Sequence, residues 1–163
     1  MGLFDNLFGK KEEANVETVS ATKGVRFKEE MIKDLKEDHQ KLFALYGSMI
    51  EDCKAEKFDS VLESLTEFSL ELDMHIYIEN TQLYTYIKNY FDSDESQKKF
   101  IDKVQHGMDG IAKAVEDFGE KWSDRGINNL NKDDFISELE GLGKTLTKRT
   151  SMEEARLYTL YQS

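Results

Sequence analysis

The chain has 163 residues, of which 39% are apolar and 34% charged, the mix of one globular domain rather than of a disordered chain. Its formal charge of −11 argues against nucleic acid as a partner: the densest basic patch is only Lys144, Lys148, Arg149 and Arg156, and phosphate contacts need clustered Lys and Arg. No apolar run approaches the roughly 18–20 residues that cross a bilayer. The start lacks the basic-then-apolar pattern of a secretory leader, and the lone Cys53 cannot form an internal disulfide, so the expected location is cytoplasmic.

Residues 1–26 read as an N-terminal tail and 27–163 as the folded domain. In the tail, Leu3, Phe4, Leu7 and Phe8 are spaced for one face of a short helix, followed by a polar stretch to Gly24. Seven or eight residues fall below the roughly 12–15 needed for an isolated helix in water. The segment 1–24 reads either as a frayed end or as a docking helix for a protein partner or a membrane surface. It departs from the myristoylation pattern at Asn6.

From Phe27 onward the apolar residues recur at spacings of three and four, the helical period. The first predicted helix carries Met31, Leu35, His39, Leu42, Tyr46 and Met49, and the second Leu65, Phe68, Leu72, His75, Glu79, Leu83 and Tyr86. A third carries Ile101, Val104, Met108, Ile111, Val115, Phe118 and Trp122, and a fourth Phe135, Leu139, Leu142, Leu146, Arg149, Glu153 and Leu157. Breaks fall near 53–56, 92–95 and 124–131, with Asp92 or Ser93 and Asn131 as candidate N-caps. No proline interrupts any of them. Four long helices with short links predict an all-α, antiparallel up-down-up-down four-helix bundle. Gly143-Lys144-Thr145 is no phosphate loop, because position 138 is Glu and no strand precedes it.

Polar residues within an apolar stripe need a reason. His75 and Glu79, four apart, share one side of the second helix, and Arg149 and Glu153 repeat that spacing on the fourth. His39 occupies a stripe position on the first. An interior imidazole one turn from an interior carboxylate suits iron, zinc or copper. The Glu-x-x-His spacing of ferritin-like sites is absent, since Lys36, Leu72 and Lys103 precede the three histidines. A buried polar network that fixes helix register is the competing reading.

The segments Leu35-Lys-Glu-Asp-His39-Gln-Lys-Leu42, His75-Ile-Tyr-Ile-Glu79-Asn-Thr-Gln-Leu83-Tyr84 and Met152-Glu153-Glu154-Ala-Arg-Leu157-Tyr158 resemble ligand helices of hemerythrin-like domains over about residues 27–161. The resemblance implies a non-heme di-iron centre inside the bundle, used for dioxygen binding, oxygen or redox sensing, iron sensing or nitric-oxide-related chemistry. His39 and His75 would bind one iron, and Glu79 and Glu153 would be the bridging carboxylates. The family's fourth-helix histidine falls on Arg149, which cannot serve as a ligand because it stays protonated. His106 stands near the place of a third-helix histidine, yet its angle is almost opposite the apolar stripe; a local bulge at Gly107 and Gly110 would be needed to turn it inward.

The expectation is therefore an incomplete site that holds one iron or an asymmetric pair. Arg149, paired with Glu79 or Glu153, would supply part of the missing charge. A small ligand such as dioxygen is the expected partner. The alternatives are a metal-free interaction protein and, last, an enzyme, for which no separate acid, base or nucleophile set is visible.

Overall fold

The computed structural model describes residues 24–162. Helix α1 spans Met31–Lys54, α2 Phe58–Ile78, α3 Tyr84–Tyr90, α4 Glu95–Arg125 and α5 Lys132–Met152. A π turn at Glu79–Leu83 joins α2 to α3 without a break in helical dihedrals, so the two form one rod. A second π turn, Glu153–Leu157, extends α5 and passes into a short 3-10 turn, Tyr158–Leu160. The described residues thus make four rods and no strand.

Neighbouring rods run antiparallel. Asp38 meets His75 while Lys41 meets Glu71; Asn80 meets Gln105 while Ser69 faces Gly119; Val104 meets Arg149 while Lys121 meets Glu138. In each pair one number rises as the other falls, which is the expected up-down-up-down bundle. The links are short for local reasons. Asp94, rather than Asp92 or Ser93, caps α4 by accepting from the amides of Ser96 and Gln97. Asn131 precedes α5, but its side chain turns back into the loop, accepting from Asn128 N–H and donating to the Gly126 carbonyl. Gly126 ends α4 at φ 71, a conformation glycine adopts without steric cost.

The core is divided. Toward one end Leu42, Met49, Val61, Leu65, Leu72, Met108, Trp122, Phe135 and Leu146 pack together. Toward the other end Met31, Leu35, Leu83, Ile87, Ile101, Val104 and Leu157 form a second cluster. Each buried leucine contributes about 1.5–3 kcal/mol. Cys53 is fully buried in the first cluster, and burial pushes its thiol pKa up, so it behaves as a small apolar filler. Among the described residues no helix is long and apolar enough to cross a membrane. The docking segment expected in residues 1–24 lies outside the described residues, except for Gly24.

Candidate metal centre

Between the two apolar clusters lies one polar layer. Along α1, His39 falls between Leu35 and Leu42; along the α2 rod, His75 and Glu79 fall between Leu72 and Leu83; along α5, Arg149 and Glu153 fall between Leu146 and Leu157. All five of these polar residues are buried. Helix α4 adds only a backbone oxygen, the Val104 carbonyl.

The two π turns shape this layer. Each opens on a buried glutamate and runs Glu-x-x-x-Leu-Tyr, and the tyrosine N–H bonds to the glutamate carbonyl five residues back. The wider turn lets both Leu and Tyr face inward: Leu83, Tyr84, Leu157 and Tyr158 are all buried. The phenols then cross between rods. Tyr158 Oη donates to Glu79 Oε1 at 2.9 Å, and Arg149 Nη2 donates to Tyr84 Oη at 2.9 Å. Both phenol pKa values are raised, by burial first and by nearby Glu79 second. Tyr86 and Tyr161 instead pack together at the bundle end, with Phe27 stacked 4.8 Å from Tyr161. Tyr84 and Tyr158 belong to the polar layer because the π turns rotate them into it.

Each histidine is held from outside by a carboxylate of another rod. His39 Nδ1 lies 2.8 Å from Glu154 Oε1, and His75 Nδ1 lies 3.2 Å from Asp38 Oδ2. A carboxylate only accepts, so these bonds place a ring proton on Nδ1 and turn Nε2 of each ring inward. Asp38 and Glu154 are absent from the sequence-based site. Their only signal is position, each standing beside an interior residue, His39 and Glu153.

The inner atoms are all electron donors. His39 Nε2 lies 3.1 Å from Glu153 Oε2 and 3.2 Å from Tyr158 Oη, whose proton is already given to Glu79. His75 Nε2 lies 3.5 Å from Glu79 Oε1, and the two imidazole rings are 4.8 Å apart. One ligand atom from each of His39, His75 and Glu153 fits within 4.8 Å of the others. Imidazole nitrogens and carboxylate oxygens this close need a positive charge between them, a proton on a ring or a metal ion. The same field acts on His75: burial opposes its charged form, but the bond to Glu79 and the charges of Glu79 and Glu153 outweigh this and raise its pKa. The donor set therefore fits a cation that takes nitrogen and oxygen ligands.

Glu153 has two faces. Oε2 turns to His39, and Oε1 accepts from Arg149 Nε. The guanidinium also donates to the Val104 carbonyl at 2.6 Å. Burial disfavours an ionised Glu153, yet the His39 bond and the Arg149 charge outweigh it and lower its pKa. Of the two partners expected for Arg149, the hydrogen-bonded one is Glu153; Glu79 turns instead to Tyr158.

His106 stands apart. Its side chain is 92% exposed, near Asp109 on the same helix, and α4 runs unbroken past Gly107 and Gly110. The bulge that would turn it inward does not form, and on the inner side at that level sits the Arg149 guanidinium, which a Cβ on Gly107 would touch at 3.7 Å.

Fold and polar layer together define a helical-bundle cation-binding domain. The sequence profile of the hemerythrin HHE cation-binding domain matches residues 30–161, and the chain belongs to that family. Comparison with curated proteins and with solved structures returned no match.

Proposed function

We propose that this chain binds a single non-heme iron ion through His39, His75 and Glu153, with Glu79 beside them, and binds dioxygen or senses a redox signal there. The observation that carries the reading is the inward aim of two imidazole Nε2 atoms onto a buried carboxylate, each ring fixed from behind by Asp38 or Glu154. Two histidines and one carboxylate are a ligand set that suits ferrous iron with positions left open. Outer carboxylates of this kind set the tautomer and raise ligand basicity.

When bound, iron would supply an open coordination position and a one-electron redox change. The chain's own residues do the rest. Tyr158 holds Glu79, Arg149 holds Glu153, and the apolar clusters on either side keep bulk water out. Beneath the layer lies a cavity of about 20 Å³, lined by His39, His75, Glu153, Leu42, Phe68 and Met108 among others. That volume suits one water-sized or diatomic molecule. Arg149 would stand in for the charge of a second ion: the fixed guanidinium neutralises Oε1 of Glu153. The buried unpaired Cys53 is compatible with a reducing, cytoplasmic setting.

Anaerobic loading with ferrous iron, followed by metal counting, tests this. One iron per chain is expected in the wild type, with loss in His75→Ala. Arg149→His should raise the count toward two and bring in an oxo-bridged di-iron absorption band. A wild type that takes up no more iron than His75→Ala overturns the reading. A metal-free interaction protein is then favoured, because among the described residues every buried side-chain polar atom already has a partner without an ion.

A further inference from the structure

The cavity beneath the polar layer has one wall that is also the floor of a surface groove. Phe43 and Tyr46 of α1 line the internal cavity, and the same two side chains line an open groove between α1 and α5 with Gly143, Lys144, Thr147 and Lys148. Both rings are only half-buried, and they meet edge to face at 6.5 Å. No hydrogen bond within 3.5 Å anchors the Tyr46 hydroxyl among the contacts of the described residues. The ring lies across Gly143, where any Cβ would overlap its hydroxyl end. Glycine there gives the ring a slot in α5.

The other sides of the cavity are closed differently. Toward α2 and α4 stand Phe68, Leu72 and Met108, all buried in the larger apolar cluster. Toward the far end stand the hydrogen-bonded histidines, Glu153 and Arg149. Of the side chains that line the cavity, Phe43 and Tyr46 are the two that also line the α1–α5 groove.

We infer that the Phe43–Tyr46 pair is the gate through which a small uncharged molecule passes between the α1–α5 groove and the cavity beside His39 and His75. The inference gives a use to the small-ligand reading of the centre and rests on it, but its test requires no metal. Rotation of Tyr46 about its own side-chain bonds opens the path, and no helix has to move. Phe43 sets the width of what passes. The groove mouth carries Lys144 and Lys148, and the passage itself is apolar, so a neutral molecule of two or three atoms is the class that fits.

The test uses the full-length, metal-free chain with Cys53→Ala and Met108→Cys, which puts the only thiol on the cavity wall. Methyl methanethiosulfonate converts that thiol into a side chain as long as the methionine it replaced, so the product fits the space. Adding Tyr46→Ala should speed modification at least tenfold, and Tyr46→Phe should leave it within twofold, because the ring and not the hydroxyl is the barrier. Val61→Ala, which loosens the distant apolar end, should leave the rate within twofold. Equal rates with and without Tyr46→Ala overturn the gate. So does a Val61→Ala rate that rises as much as that of Tyr46→Ala, because the reagent would then be entering by general unfolding. If the gate variants behave as expected and the protein binds no iron, the passage stands and the metal reading falls.

Discussion

The α2 rod and the α5 rod use one backbone device to different ends. In both, a residue one turn ahead of a glutamate points inward, the glutamate opens a π turn, and a tyrosine five residues on crosses to the other rod. On α2 the leading residue is His75, an imidazole that can gain or lose a proton and that the proposed function makes a metal ligand. On α5 it is Arg149, a cation that never leaves. A guanidinium in place of an imidazole at this position makes the α5 half a permanent structural charge. In the proposed function the two buried carboxylates then need one further positive charge between them, which is why a single ion is expected there.

The comparison breaks most sharply at its shared member, Glu153. Glu153→Leu strips Arg149 of its buried counter-ion and removes a donor from the histidine side. The metal-free protein should lose about 3–5 kcal/mol by urea denaturation, the cost of leaving one member of a buried pair uncompensated. Iron binding should vanish. His75→Leu should abolish iron binding equally while costing the metal-free protein about 1 kcal/mol, since it removes no fixed charge. If the two variants destabilise alike, the Arg149 half is not the structural one.

The next effect concerns the residues behind the rings. Asp38→Ala and Glu154→Ala each free one imidazole to rotate, and each should weaken iron about 10–100-fold in a competitive chelator titration. Both acids are partly exposed, with side chains 33% and 40% accessible, so their loss should move stability little. Tyr158→Phe should fall below these, at about 1–2 kcal/mol, because it leaves a Glu79 oxygen buried with one donor fewer. Its mark on the comparison is positional: it should disturb the α2 carboxylate and leave the Arg149–Glu153 pair intact.

The bundle and the buried positions of His39, His75, Glu79, Arg149 and Glu153 were legible because a helix of fixed period assigns each residue an angle, and these five share the angle of the leucines beside them. Where the period changes, that legibility ends. The π turns at Glu79 and Glu153 add a residue to one turn, so Tyr84 and Tyr158 reach the interior although a 3.6-residue count turns them well away from the leucine stripe. Asp38 and Glu154 were hidden for another reason. They act across rods, and no single-helix pattern says that an acid beside one interior residue will orient the ring of a different rod.

His106 gives the smallest effect and the cleanest control on the angular reasoning. Its count along α4 places it opposite the apolar stripe, whereas family position alone would draw it into the centre. The two lines of reasoning disagree, and the helix geometry prevails: relaxing α4 enough to bring an exposed imidazole inward would give up hydrogen bonds of an unbroken 31-residue helix and push the ring into the space of the Arg149 guanidinium. His106→Ala should therefore change iron content by nothing measurable and stability by less than about 0.5 kcal/mol, as for other exposed positions. The more demanding form is the double variant His106→Ala with Arg149→His. If the second ion gained by Arg149→His persists without His106, α4 contributes no ligand even to a restored two-ion site; if it disappears, α4 can bulge once the guanidinium is gone, and Arg149 is what holds His106 outside.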